Sequence, residues 1–96
     1  MIDDGPQRPV RWSDHAIDNL SERHIAREEA ERTLTHPDAT APGRLPNRTV
    51  YMRHYHDTFN DKPMLMLVAV EDTPTERVVL TVYPTSRPQR YLRGVT

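Results

Sequence analysis

A chain of 96 residues, 35% hydrophobic and with a mean hydropathy of -0.80, makes one small domain with a thin core. It has no cysteine, which excludes a disulfide staple, a zinc ribbon and thiol catalysis. Thirteen basic against fourteen acidic side chains give a net charge of -1, so no global field draws the protein to nucleic acid.

The chain opens with a short strand expected over Pro9–Trp12. Ser13 suits an N-cap, and Ile17, Leu20 and His24 follow at helical spacing, which predicts a helix over 14–24. Ile25, Ala30 and Leu34 mark a second helix over 27–35. Glu29 is placed as the glutamate of a half capping box, and Glu28 and Arg32 as an i,i+4 pair. His36-Pro37 ends this helix. Three strands follow, over Thr49–His56, Met64–Val70 and Arg77–Tyr83. Their connections, 57–62 and 73–76, are of hairpin length.

The expected fold is α+β, in the order β-α-α-β-β-β. A mainly antiparallel four-stranded sheet carries both helices on one face. Residues 1–96 form one domain with a flexible N-terminus (1–8) and a basic C-terminal tail (84–96). The expected core is Trp12, Ile17, Leu20, Leu34, Val50, Met52, Leu65, Leu67, Leu80 and Val82. The longest apolar run, Met64 to Val70, falls far short of the roughly 20 residues that cross a bilayer. The first ten residues have neither the basic start nor the apolar stretch of a signal peptide. A soluble, cytoplasmic protein with no membrane partner is expected.

Strand alternation sorts the side chains. With Val50, Met52, Val78, Leu80 and Val82 turned to the helices, the opposite face shows Tyr51, Arg53, Tyr55, Thr81 and Tyr83. Arginine interleaved with tyrosine on an open sheet suits single-stranded RNA, because bases stack on rings while arginine meets phosphate. The structural alternative is that half-buried strands favour tyrosine anyway. Charge is uneven along the chain: residues 1–40 carry five basic and nine acidic side chains, and residues 84–96 three basic and none acidic. Twelve of the thirteen basic residues are arginine, whose planar fork suits phosphate.

Residues 12–30 carry a family resemblance. Trp12, Asn19, Leu20, Arg23, His24, Ile25, Glu28, Glu29 and Ala30 echo the BrnT-like branch of the RelE/ParE toxin superfamily. A sister family of uncharacterised short domains is echoed by Ser13, His15 and Ala16, by Arg23 and Ile25, and by the run Val79 to Tyr83. His24 stands where these families carry a glycine between the helices. The resemblance implies a RelE-like fold and metal-independent RNA cleavage, with no cofactor and no metal. It also implies a cognate antitoxin protein as partner and RNA as substrate, with or without the ribosome.

Such cleavage needs a base for the ribose 2′-OH, a cation for the phosphate and an acid for the leaving 5′-oxygen. The catalytic candidates are His15, Arg53, Tyr51, Tyr83 and Arg87; the RNA-binding candidates are Arg23, Tyr55, Thr81, Arg90 and Arg93. The resemblance supports His15, Arg23 and Thr81 position by position, whereas Arg53, Tyr51, Tyr83 and Arg87 come from strand alternation and the tail. Each has a bland counterpart: His15 as a capping or surface residue, Arg23 as an ion-pair partner, Thr81 as a strand former. Arg53 is expected to matter more for activity than His15. His54 and His56, two apart on a strand, point to one side, but no third metal ligand lies at useful spacing. The competing function is a catalytically silent protein-binding module that uses the same sheet face or an edge strand.

Overall fold

A computed structural model describes residues 9–87 of the chain. In chain order the elements are β1 (Val10–Trp12), α1 (Asp14–Glu22), α2 (Arg27–Thr35), β2 (Ala39–Pro42), β3 (Arg48–Asp57), β4 (Lys62–Asp72) and β5 (Arg77–Thr85). The strands form one sheet in the order β1-β5-β4-β3-β2. β1 runs parallel to β5, and the other three pairings are antiparallel. The fold is α+β as expected, but the sheet is mixed and has five strands rather than four.

The additional strand is β2, whose sequence Ala-Thr-Ala-Pro carries little β-propensity and ends in proline. It pairs with β3 because the chain returns tightly: the Gly43 N–H donates to the Arg48 carbonyl at 2.8 Å. A side chain at Gly43 would meet the Arg48 Cβ at 2.8 Å, so this closure requires glycine. Alternation from the Gly43 bond puts the missing N–H of Pro42 on the outward side of the strand. A proline there leaves no gap in the ladder and blunts the sheet edge.

Ser13 caps α1 as expected: its hydroxyl accepts from the Ala16 N–H at 3.1 Å and donates to the Leu80 carbonyl at 3.2 Å. α2 begins at Ala26 without a side-chain cap. The Glu29 carboxylate takes Arg32 at 3.0 Å, and Arg27 pairs with Glu31 at 3.1 Å, in place of the expected Glu28–Arg32 pair.

Apolar packing lies on both sides of β4. Ala16, Ile25 and Ala30 of the helical segment join Met66, Val68, Val70, Val79 and Val82, with Trp12, Leu20, Leu34, Tyr51 and Tyr55 packed against them. Met52, Leu65 and Leu67 form a second cluster with Ala39, Ala41, Val50 and Tyr83. The expected assignment of β3 faces is therefore inverted. The helices present small contacts, chiefly alanines, and the long tyrosine side chains fill the space beneath them, while Met52 packs with the leucines of β4. In β5 the registers Ala69↔Thr81 and Val70↔Val79 leave Leu80 in a bulge. The bulge shifts the alternation, so Val79 and Val82 share the helix side and Leu80 is only half buried. Ile17, expected in the core, is 46% exposed, because α1 packs through Ala16, Asn19 and Leu20 instead.

Candidate functional site

β1 pairs with β5 only as far as Val79. Beyond that point α1 lies along the edge of β5 and takes over its hydrogen bonds. Asn19, 1% exposed, accepts the Val82 N–H at 2.9 Å and the Thr81 hydroxyl at 2.8 Å on its Oδ1. One turn on, the Arg23 guanidinium lies over the Tyr83 ring, 5.9 Å from its centroid. One turn back, His15 is exposed on the first turn of α1. Spacing of four residues puts His15, Asn19 and Arg23 on one stripe of the helix. Arg23, Thr81 and Tyr83 thus come together at one seam, and His15 lies on the same helical stripe two turns before Arg23. Arg23 takes part in no ion pair among the described residues.

Asn19 entered the sequence reading only as part of the resemblance, and its role was missed. A signal existed. Asparagine is a poor helix former, and one in mid-helix beside Ala16 and Leu20, through which α1 packs, marks a tertiary hydrogen bond.

The trio of β3 lies elsewhere and does not form an open RNA-binding face. The Tyr51 hydroxyl accepts from Arg77 Nη2 at 2.6 Å, and the Arg77 guanidinium sits 5.3 Å from the ring centroid. Arg53 Nη1 donates to the His36 carbonyl at 2.7 Å, which places a cation at the C-terminus of α2. Its Nε is buried with no hydrogen-bond partner. Burial pushes the Tyr55 phenol up to about 12, with Asp57 and Glu29 adding to the shift, so it holds its proton near neutrality. Arg53 and Tyr55 brace α2 against the sheet, and Tyr51 packs in the cluster beneath the helices.

The expected tail begins too early, since Pro84 and Thr85 belong to β5. Arg87 is exposed just past the strand, its N–H donating to Thr85 Oγ1 at 3.0 Å. Arg90, Arg93 and the N-terminal segment 1–8 lie outside the described residues. His54 and His56 each engage a separate carboxylate, Asp38 at 3.3 Å and Asp61 at 2.9 Å. Among the described residues no three histidine or carboxylate side chains gather in a way that could hold a metal.

A cleft of about 90 Å³ opens between the α1–α2 turn and the β3–β4 hairpin, lined by His24, Ile25, Glu29, Tyr55, His56 and Asp57 among others. His24 has a φ of 55°, the left-handed conformation that glycine adopts most easily. Its ring stacks on Phe59, with centroids 4.2 Å apart and planes 13° from parallel.

Fold and seam define an α+β domain in which a helix continues the edge of a mixed sheet beyond its short first strand. The chain belongs to the DUF4258 family, a domain of unknown function whose family model matches residues 12–84. That span contains both helices, β2 to β4 and the seam, from His15 through Tyr83. No curated protein and no solved structure matches the chain significantly. Among the described residues no helix is long and apolar enough to cross a membrane.

Proposed function

We propose that this protein is a toxin-like, metal-independent ribonuclease of RelE-like fold, with RNA lying across the seam between α1 and β5. The observation that carries the reading is the meeting of Arg23, Thr81 and Tyr83 at that seam, with His15 on the same stripe of α1. In the reaction the ribose 2′-oxygen attacks phosphorus and the bond to the 5′-oxygen breaks, leaving a 2′,3′-cyclic phosphate. The 2′-OH proton goes to a base, and an acid returns one to the leaving oxygen. His15 serves as the proton carrier. Arg23 holds the phosphate as its charge develops, its guanidinium steadied over the Tyr83 ring. His15 lies eight positions before the C-cap Arg23, about 12 Å along the axis, so the two side chains reach a scissile phosphate between them from either side. Asn19 and Thr81 are positioning residues that fix the helix against the strand. A cytoplasmic cognate antitoxin silences the enzyme by covering the seam.

The test incubates purified protein with total RNA, with and without excess EDTA and ribosomes. Cleavage should persist in EDTA, and His15→Ala and Arg23→Ala should each lose about 10²–10³ in rate, as for a preorganised charge contact. Arg53→Ala should lower stability but keep its activity per folded molecule. EDTA-abolished cleavage would overturn the metal-free mechanism. The net charge of -1 favours a second reading, a catalytically silent protein-binding module. Absence of cleavage under every condition would select it.

A further inference from the structure

The cleft between the α1–α2 turn and the β3–β4 hairpin has no part in this chemistry, yet it has the features of a binding pocket. Two rings line it: Tyr55 of β3, and His24 of the α1–α2 turn, whose ring is already stacked on Phe59 at 4.2 Å. Phe59 itself is 64% exposed. Acceptors also line the cleft: Glu29 on α2 and Asp57 on β3. Arg32 occupies only Glu29 Oε2, at 3.0 Å. The Asp57 oxygens each take one donor, the Phe59 N–H at 3.2 Å and Asn60 Nδ2 at 2.6 Å, and each keeps a second lone pair. Both carboxylates help to raise Tyr55, so their negative field reaches the cleft wall.

Size narrows the ligand. The cleft is small, about 90 Å³, which suits a compact group such as the four heavy atoms of a guanidinium. Charge narrows it further. Two carboxylates attract a cation and repel the phosphates of RNA, and aromatic side chains in the lining favour the planar, weakly hydrated guanidinium over the compact ammonium of lysine.

We propose that this cleft is a docking pocket for an arginine side chain on a segment of a partner protein. The guanidinium lies between Tyr55 and the His24–Phe59 pair and donates to Glu29 and Asp57. The proposal stands apart from RNA cleavage and makes the hairpin end of the domain a second, independent contact surface.

The test follows the ring resonances of His24, Tyr55 and Phe59 by NMR while the intact protein is titrated with N-acetyl-arginine amide. Saturable shifts confined to these rings and their neighbours are expected. The uncharged isostere N-acetyl-citrulline amide, and the Glu29→Gln protein with the arginine probe, should each bind about tenfold more weakly, the loss of one charge-assisted bond. Should Glu29→Gln fail to fold, the arginine–citrulline comparison on the unaltered protein decides alone. Equal shifts with both probes, or shifts scattered over the surface, would overturn the proposal. So would guanosine monophosphate moving the same resonances at lower concentration, which would mark a base-binding site instead.

Discussion

Replacing Asn19 with leucine tests the seam most directly, because it removes the one acceptor that joins α1 to the free edge of β5. Asn19 and Val82 are both buried, so the freed Val82 N–H finds neither protein nor water. An orphaned buried donor costs about 1–3 kcal/mol. The Thr81 hydroxyl loses its 2.8 Å bond too, but Thr81 is only half buried and water can replace Asn19, so about 1 kcal/mol suffices for that part. The sum is about 2–4 kcal/mol, against a total of ~5–14 kcal/mol for a domain of this length. With a urea m-value near 1 kcal/mol/M, the low end for small domains, the midpoint should fall by about 2–4 M at unchanged slope. Thr81→Val serves as the control, since it deletes one of the two bonds and leaves Val82 paired; its loss should stay near 1 kcal/mol. Amide exchange at Val82 should accelerate in Asn19→Leu and not in Thr81→Val. A loss in Asn19→Leu below about 0.5 kcal/mol, or undisturbed protection at Val82, would refute the view that this carboxamide carries the edge.

Three further expectations concern the core, the helical turn and the β2 edge. Leu67 is 1% exposed, and Leu67→Ala should cost about 2–5 kcal/mol in urea denaturation; a loss under about 1 kcal/mol would mean the second cluster is not structural. His24 holds a left-handed φ of 55°; His24→Ala and His24→Gly both lose the stack on Phe59 but only alanine keeps the strain, so His24→Ala should be about 1 kcal/mol less stable than His24→Gly in urea denaturation. The His54 backbone N–H holds the Asp38 carboxyl below its ordinary value of 3.8. The stability Asp38 contributes is therefore present above that value and lost as pH falls through its lowered folded one. Thermal midpoints of wild type and Asp38→Asn should converge on acidification, and a gap that widens instead would contradict this sign.

The sequence made the helices and the three long strands legible through local signals: the Ser13 cap, the stop at His36-Pro37, and alternation in β3 and β5. It did not say which face of the sheet the helices cover. Met64–Val70 is apolar at every position, so β4 fits either choice, and β3 offers tyrosines on one side and aliphatics on the other. Choosing the aliphatics was reasonable on hydrophobicity alone. Volume decides the other way, since helices that contribute Ala16 and Ala30 leave room that only long side chains fill. The bulge at Leu80 is equally invisible, because it depends on a register with β4 rather than on any residue nearby. Of the candidate site, His15, Arg23 and Thr81 were legible because they lie in short motifs. Tyr83 was found for the wrong reason, as part of a face it does not share with Tyr51. The cleft was not legible at all: its two sides lie about thirty residues apart, and only the tertiary fold brings Glu29 to Tyr55.

The seam also explains why stability and the proposed chemistry are tied together in this chain. A strand beside β5 would offer a row of acceptors, and register slips would be resisted at several points. A helix cannot match that spacing, rising about 1.5 Å per residue against about 3.3 Å for a strand. Only one residue of α1 can therefore hold the edge at a time, and Asn19 does so with two bonds to a single oxygen. Ser13 fixes the start of the helix through Leu80 and Val79. With two points held, both the rotation and the height of α1 are set. His15 and Arg23, one turn to either side of Asn19, then have no freedom beyond their own side-chain torsions. Substitutions at Asn19 should thus lower activity even in the fraction that remains folded, whereas Leu67→Ala, in the cluster with Met52 and Leu65, should lower only the folded fraction. Measuring cleavage per folded molecule separates the two. Equal specific activity in both variants would mean that the seam positions nothing.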